Sequence, residues 1–185
     1  MKRRLGPINA LYPLPVVVVG TVVNDTPNFI TVSHVGILSL NVISVSIGKT
    51  HLSNLGLRKH GVFSLNIPSE DLVKEVDLCG QLSGRRINKA GLFRIMHTEN
   101  KLTPMLEDCP VNMSCRVIKV LDFPSHDVFV SEVVETIVDE RVIDQGSINF
   151  AWVKPLLFDM ESKSYWGLGP NKGAAWSIGK TLKFN

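Results

Sequence analysis

The stretch LPVVVVGTVV at residues 14–23 decides the fold class of this chain. Six of its ten residues are valine, and ten residues are too few for a membrane-spanning helix, which needs about 20 apolar residues. Valine is β-branched and favours strands, and a short continuous apolar run is typical of a strand inside the core. The stretch therefore predicts a buried β-strand.

More strands are predicted after it. Residues 24–28, NDTPN, have turn chemistry, and 29–33 follows as a strand. In 42–47 apolar side chains recur at every second residue, which places them on one face of a strand. The long β-branched segments 112–121 and 128–138 predict an antiparallel pair.

Two short helices and another strand lie between these segments. Residues 50–59 end in two basic side chains and are followed by Gly61, which is typical of a helix C-terminus. Residues 62–67 return as a strand. A second helix is predicted to be capped by Ser69 and to end at Gly80.

Successive strands without regular helix alternation predict a mainly β protein with short helices, an antiparallel barrel rather than a doubly wound parallel sheet. No G-x-G-x-x-G follows a strand, no P-loop occurs, and Gly167-Leu168-Gly169 is followed by Pro170 without a third glycine. With no repeat or linker in 185 residues, the whole chain, 1–185, is predicted to be one domain.

Composition narrows the classes of partner. Hydrophobic residues make up 44% of the chain, which is enough to bury a core and argues against disorder. The net charge of +3 is too small and too scattered for a nucleic-acid interface. Residues 26–48 lack formal charge but carry many polar side chains, which favours buried sheet over a membrane span. We therefore expect a soluble, cytoplasmic protein.

The reactive residues show no catalytic or metal-binding pattern. Cys79, Cys109 and Cys115 form no C-x-x-C motif, no histidine pair has zinc-ligand spacing, and no G-x-S-x-G occurs. We expect reduced thiols and no metal. Small polar residues instead cluster at 28–33 and 46–54, where strands end and a helix begins. Hydroxyls and a lysine beside a helix N-terminus suit a phosphate group.

Several segments, taken in order along the chain, resemble the flavin reductase-like family, and within it the flavoredoxins. The segments are LGPINALYPLPVVVVGT (5–21), PNFITVS (27–33), GKTHLSN (48–54), FSLNIPS (63–69), CGQLSGRRINKAGLF (79–93), HDVFVSEVV (126–134), YWGLG (165–169) and GK (179–180). The resemblance covers nearly the whole chain.

The resemblance implies an FMN-binding split β-barrel of Greek-key topology that forms a homodimer with the flavin near the subunit interface. It places the cofactor against two segments, at the second strand and at the junction from a strand into a helix, with further contacts later in the chain. The residues implied are Asn28, Thr31, Val32, Ser33, Ser46, Lys49, Thr50, His51, Asn54, Ser83, Lys89 and Trp166.

The chain also departs from the family pattern. Leu40-Asn41 stands where relatives usually have a proline pair, Ser33-His34 where many have Ala-Trp, and Gly48 where an arginine is frequent. Loss of a charge-assisted contact costs about 1.5–3 kcal/mol, which corresponds to roughly ten- to a hundredfold weaker FMN binding.

The sequence leaves two alternative roles open for each of two residues. His126, where the family frequently has a histidine, is the candidate catalytic residue, and a hydrogen-bonded turn histidine is the alternative. Cys79 is either a small buried residue or a redox thiol.

Three functions follow. The first is an FMN-containing redox protein that passes electrons or hydride to a partner protein or a small acceptor. The second is an NAD(P)H:flavin oxidoreductase, with NADH or NADPH as donor and flavin as substrate. The third is a flavin-free barrel that acts as a binding module.

Overall fold

The computed structural model describes residues 1–96 and 98–182, which form short helices around a large antiparallel sheet. The strands are β1 (Leu14–Pro15), β2 (Val17–Val23), β3 (Thr26–Val32), β4 (Val35–Ser39), β5 (Val42–Gly48), β6 (Val62–Ile67), β7 (Ile95–Met96), β8 (Met105–Leu106), β9 (Val111–Asp122), β10 (His126–Val138), β11 (Ile143–Asp144), β12 (Ser147–Ile148), β13 (Leu157–Asp159) and β14 (Ser164–Trp166). The helices are α1 (Leu52–His60), α2 (Val73–Gln81) and α3 (Phe150–Val153), with 3-10 turns at Glu70–Leu72, Lys89–Leu92, Glu140–Val142 and Ile178–Thr181.

Seven strands form the principal sheet in the order β3-β2-β6-β9-β10-β5-β4, with antiparallel neighbours throughout. The sheet curls so that β3, at one end, packs close to β5 near the other. The prediction of a mainly β, antiparallel split barrel is confirmed. Three small sheets, β1-β13-β14, β7-β8 and β11-β12, lie around it.

The valine run is buried because β2 is covered on both faces. Val17 and Val19 face the barrel interior, where they meet a core that includes Phe63. Val16 and Val18 belong to the second hydrophobic cluster, which includes residues of α2. A strand between two apolar layers needs no polar face, so the run is continuous instead of alternating.

The first hairpin is tighter than the sequence predicts. Val23 pairs with Thr26, and Asn24 and Asp25 alone form the turn, with φ of 48° and 58°. Two left-handed residues are the geometry of a type I′ turn, which matches strand twist. The predicted turn over 24–28 is therefore wrong in its second half. Pro27 is accommodated because β3 is the end strand of the sheet, where a missing N–H costs no ladder bond.

The ends of the helices confirm one prediction and correct another. Gly61 adopts φ of 65° and donates its N–H to the carbonyl of Leu57, as predicted for the end of α1. Ser69 makes no capping hydrogen bond and precedes a 3-10 turn, so the predicted cap is wrong. The second helix continues through Gly80 and ends at Gln81, one residue beyond the predicted end.

Gly20 of β2 occupies a position that requires glycine for space. A Cβ there would lie 2.8 Å from Cε1 of Phe29 and closer still to the carbonyl oxygen of Pro104. We expect Gly20→Ala to lower the free energy of unfolding by about 1–3 kcal/mol through overpacking. Urea unfolding tests this. Gly91→Ala is the control, since nothing lies within 4 Å of a Cβ at that position, and equal effects of both variants would contradict the packing argument.

Across residues 1–96 and 98–182, no helix has both the length and the apolar character needed to span a membrane. The three cysteines are buried and unpaired.

Candidate functional site

A cleft of about 500 Å³ opens beside β3, β5, α2 and the β13–β14 hairpin. Part of its wall is apolar, with Val16, Ile30, Val32, Ile47, Phe158 and Met160. The rest is polar, with hydroxyls, three imidazoles, and the side chains of Asp77, Gln81, Lys163 and Tyr165. A mostly apolar cleft with a few converging polar groups is typical of a cofactor or ligand site.

Neighbouring strand ends bring the hydroxyl groups of the cleft together. Thr31 and Ser33 lie at the end of β3, and Ser46 lies on β5. The hydroxyl of Thr31 donates to the carbonyl of Val76 at 2.6 Å, which ties β3 to α2. Ser33 and Ser46 have no described bond to another side chain, so their hydroxyls are available to a ligand.

Three imidazoles gather at the same cleft. His126 pairs with Gly48 across β10 and β5, and a Cβ on Gly48 would lie 3.0 Å from Cδ2 of His51 and 3.7 Å from Nε2 of His126. The rings of His34 and His126 have centroids 6.3 Å apart. Because Gly48 has no side chain, the space between the rings of His51 and His126 stays open.

Hydrogen bonds orient two of these rings. Ser125 Oγ lies 2.9 Å from Nδ1 of His126, which leaves Nε2 for a ligand. The hydroxyl of Tyr12 lies 3.2 Å from Nε2 of His34. Burial, the charge of Lys89 and the neighbouring His126 all lower the pKa of His51, which favours its neutral form near pH 7.

Lys89 is a buried cation behind this wall. Its side chain donates to the carbonyls of Cys79 at 3.0 Å and Leu82 at 3.2 Å, where α2 ends. Burial lowers its pKa. Within residues 1–96 and 98–182, no carboxylate lies within 4.0 Å of its ammonium group. The positive charge of Lys89 is close enough to lower the pKa of His51. An anion in the cleft would therefore face a desolvated positive charge.

Among the residues that the structure describes, Asp77 is the only carboxylate that lines the cleft, and it is already hydrogen-bonded. The hydroxyl of Tyr165 donates to Asp77 Oδ1 at 3.2 Å, and burial together with the charge of Asp77 raises the pKa of Tyr165 to about 12. Tyr165 therefore stays protonated and keeps this bond.

The structure brings six of the thirteen predicted site residues into the lining of the cleft: Thr31, Val32, Ser33, Ser46, His51 and His126. Lys89 lies behind the lining, as described above. The remaining six lie outside the lining of the cleft.

Two of these six contact an ion-pair network that includes Arg58, Asp122 and Asp127. Asn54 is buried and donates to Asp127 at 2.9 Å. Lys49 lies 2.5 Å from Asp122 and 3.8 Å from Asp127. The sequence predicts that both residues bind the cofactor, but in the structure their polar groups bind carboxylates of the protein itself. Neither lines the cleft.

The other four also lie outside the cleft lining. Asn28 is buried, donates to Ser53 at 2.6 Å and lines a separate cleft of about 410 Å³. Thr50 and Ser83 are exposed. Trp166 is also exposed, because it follows Tyr165 on β14 and successive strand residues face opposite sides. Tyr165 of the same segment lines the cleft instead, and strand alternation distinguishes the two positions.

The β13–β14 hairpin is the part of the cleft that the sequence analysis missed. Phe158 and Tyr165 pair across it with ring centroids 5.4 Å apart. Short strands of three residues carry too little periodicity to be recognised. Their contribution to the cleft could not be predicted from spacing.

Cys79 is a packing residue. Its thiol is buried, and burial raises its pKa, which suppresses the thiolate that redox chemistry needs. This favours the structural alternative. Within residues 1–96 and 98–182, no group of three or more potential metal ligands occurs.

Comparison with known proteins agrees with this geometry. The flavin reductase like domain model matches residues 9–166. The chain belongs to the flavin reductase-like family. Membership supports a flavin as the cofactor and redox chemistry as the class of function.

Solved structures of flavoredoxins resemble the chain over almost its whole length. The flavoredoxin of Methanosarcina acetivorans is 34% identical, with a TM-score of 0.91 over 99% of this chain and 98% of its own. The flavoredoxin of Desulfovibrio vulgaris (Miyazaki F) is 27% identical, with a TM-score of 0.88 over 97% and 100%. An FMN-binding protein from Thermus thermophilus, 24% identical, shares the fold with a TM-score of 0.79 over 94% and 98%.

The residues present fit a flavin. A flavin has a flat, largely apolar ring and, in its nucleotide forms, an anionic tail. The cleft offers an apolar wall for the ring, and hydroxyls, imidazoles and a buried ammonium for the tail. The open space at Gly48 would be filled by a side chain of any other residue.

Proposed function

We propose that this protein binds FMN in the cleft and works as a flavoredoxin-like carrier of electrons or hydride. The observation that carries the proposal is the position of Lys89, a buried ammonium group without a carboxylate partner in the described residues, directly behind a cleft lined by hydroxyls and imidazoles. Such a site favours an anion, and the apolar wall beside it favours a ring.

The phosphate group would lie near the start of α1. This helix begins at Leu52 with no acidic residue in its first turn and no side-chain cap from His51. Its first N–H groups therefore carry the partial positive charge that favours phosphate. Ser46 and His51 would donate from the cleft wall, and Lys89 would add charge from behind.

The apolar wall and His126 would position the ring. Bound FMN supplies hydride or single-electron chemistry, so the protein needs no acid–base pair of its own. Ile30, Val32 and Ile47 would exclude water from one side of the ring. His126, oriented by Ser125, would donate from Nε2 to the ring, and this hydrogen bond would stabilise the reduced, more negative form of the cofactor.

A second function has its own supporting observation. Gly48 lacks the guanidinium group frequent in the family, and Lys49 is paired with Asp122. Two expected phosphate contacts are therefore missing, which favours a flavin that exchanges, as in an NAD(P)H:flavin oxidoreductase with NADH or NADPH as donor. Protein that stays yellow through gel filtration supports the carrier, whereas colourless protein with rapid NADH-dependent FMN turnover supports the oxidoreductase.

Titration of flavin-free protein with FMN tests the site itself. Binding would quench flavin fluorescence and shift its visible spectrum. Ser46→Ala and His51→Gln should weaken binding, because both residues line the cleft, and Thr136→Ala, at an exposed position of β10 outside the cleft, is the control. No quenching at any protein concentration would contradict the proposal and leave the flavin-free module.

Restoring the family's arginine should strengthen binding. Gly48→Arg places a guanidinium group between His51 and His126, and the exposed ring of His51 has room to move. We expect FMN to bind about tenfold more tightly through a charge-assisted contact. Fluorescence titration measures this, and Gly48→Gln is the control that adds bulk without charge. If both variants weaken binding equally, the phosphate does not lie beside residue 48.

We also propose a cytoplasmic homodimer. Three free, buried thiols suit a reducing compartment. The second copy would complete the surroundings of the flavin, as the family resemblance implies. Light scattering at micromolar concentration tests the dimer, and a monomeric mass would contradict it.

A further inference from the structure

The structure contains a second cleft, of about 410 Å³, that the proposed function does not use. It lies between the β2–β3 hairpin, the start of α1 and the loop that follows α2, and we call the cleft proposed for FMN the first cleft. His51 lines the first cleft and the next residue, Leu52, lines the second. Gly80 and Gln81 of α2 line the first cleft, and residues 84–88 line the second. The two clefts are therefore neighbours along both elements.

The charge of the second cleft is wholly positive. Its two charged lining residues are Arg85 and Arg86, which are exposed. Within the described ranges, 1–96 and 98–182, neither guanidinium group has a carboxylate within 4.0 Å. The other arginines that follow the N-terminal segment all pair with an acid: Arg58, Arg94, Arg116 and Arg141. Two adjacent guanidinium groups without an acid favour an anion, and each can bind a phosphate group through two parallel hydrogen bonds.

The remainder of the lining suits a nucleoside. Part of it is apolar, with Val23, Pro27, Leu52 and Ile87, and this surface could cover one face of a base. The other part carries amides and a hydroxyl, from Asn24, Thr26, Asn28 and Asn88, which suit the hydroxyls of a sugar and the edge of a base. A volume of about 410 Å³ lies within the range of ligand sites, about 300–1,000 Å³.

Two of these amides have a hydrogen-bonding group left for a ligand. Asn28 is only 6% exposed and donates from Nδ2 to Ser53 at 2.6 Å, and no donor to its Oδ1 occurs among the described residues. Asn88 accepts from the N–H of Ala90 at 3.0 Å, which leaves its Nδ2 for a ligand. A Cβ on Gly84 would meet Oδ1 of Asn28, so a larger residue would occupy the space beside this oxygen.

We infer that the second cleft binds a nucleoside diphosphate group. Arg85 and Arg86 would bind its two phosphates, and the apolar and amide side chains would contact the nucleoside. Two sources carry such a group: a free nucleoside diphosphate, or the far half of a dinucleotide whose flavin ring lies in the first cleft. The second source rests on the proposed function, because it needs a flavin in the first cleft.

Calorimetric titration of the flavin-free protein with ADP tests the second cleft. Arg85→Gln/Arg86→Gln should weaken ADP binding about ten- to a hundredfold, because charge-assisted contacts to both phosphates are lost. Arg3→Gln/Arg4→Gln is the matched control, since it removes the same charge from an exposed N-terminal segment. It should bind ADP within about threefold of wild type. Urea unfolding should be unchanged in both variants, because all four side chains are exposed.

Two outcomes of the ADP titration would overturn the inference. The first is no binding of ADP to the wild-type protein at millimolar concentration. The second is an equal loss of affinity in the two double variants, which would show that ADP responds to net charge and not to the cleft.

Flavin titrations of the same samples separate the two sources. For a dinucleotide, FAD should bind the wild-type protein more tightly than FMN does and should lose this advantage in Arg85→Gln/Arg86→Gln, whereas FMN should bind both proteins alike. FAD that binds no more tightly than FMN would overturn the dinucleotide and support the free nucleotide. A loss for FMN as large as the loss for ADP would assign the arginines to the FMN phosphate and overturn the second site. Protein that binds ADP but no flavin would overturn the proposed function and support the second cleft.

Discussion

Replacing Lys89 by methionine is expected to weaken FMN binding ten- to a hundredfold while changing the free energy of unfolding by less than about 1 kcal/mol. Lys89 would act on the phosphate through its charge, since two unit charges about 6–12 Å apart attract by about 1.4–2.8 kcal/mol at an effective dielectric constant of about 20. A free energy of about 1.4 kcal/mol is a factor of ten in affinity. Stability changes little because two effects oppose each other. The variant loses the bonds to Cys79 and Leu82, but it also removes the cost of burying an ammonium group.

Riboflavin makes this prediction specific for the phosphate. Riboflavin has the same ring without the anionic tail, so its affinity should be nearly the same for wild type and Lys89→Met. Fluorescence titration with both flavins measures the difference. Lys119→Met, on an exposed part of β9, is the matched control and should bind FMN like wild type. An equal loss for FMN and riboflavin would mean that Lys89 acts on the ring or on the fold.

Replacing Asp127 by asparagine is expected to lower the free energy of unfolding by about 2–4 kcal/mol. Asp127 is fully buried and accepts from Arg58 Nε at 2.7 Å, from Arg58 Nη2 at 2.6 Å and from Asn54 at 2.9 Å. Disrupting a buried ion pair costs about 3–5 kcal/mol. The expected loss is smaller because the Arg58 side chain is 43% exposed and water can solvate it in the variant.

The loss of unfolding free energy in Asp127→Asn should also depend on pH. The hydrogen bonds from Arg58 are the main reason that the pKa of Asp127 lies below its ordinary value, and Asn54 adds to the effect. A carboxyl group with a lowered folded pKa stabilises the protein fully above its unfolded pKa of about 3.9. It loses that contribution as the pH falls through the folded pKa. The difference between wild type and Asp127→Asn should therefore be largest near pH 7 and shrink in acid.

Urea unfolding at several pH values measures this dependence. Asp25→Asn is the control, because Asp25 is exposed at a hairpin turn with a left-handed backbone that asparagine also tolerates. Its stability should match wild type at every pH. A loss for Asp127→Asn that stays constant into acid would contradict the role assigned to the carboxylate.

The fold could be predicted because local pattern and buried surface agree in the long strands. Residues 42–47, 112–121 and 128–138 were predicted within a few residues of β5, β9 and β10. Strand β4 was missed because four of its five residues are exposed, which removes the apolar alternation. The first hairpin was misplaced because Pro27 indicates a turn unless the strand is known to lie at the end of the sheet.

Part of the cleft lining was predictable because polar residues stand near the ends of strands. Thr31, Ser33 and Ser46 line the cleft for that reason. Asn54 looks equally suitable in sequence but faces Asp127, which is 73 residues further along the chain. Sequence spacing cannot show which partner a polar side chain meets, because long-range pairing between β5 and β10 decides it.

The position of β2 between two apolar layers affects how this protein unfolds. Val17 and Val19 pack in the barrel interior, whereas Val18 and the preceding Val16 pack in the layer that includes residues of α2. Unfolding either layer would expose one face of β2 to water. The two layers should therefore unfold together as one cooperative unit. The amide protons of β2 should then exchange with solvent only through global unfolding.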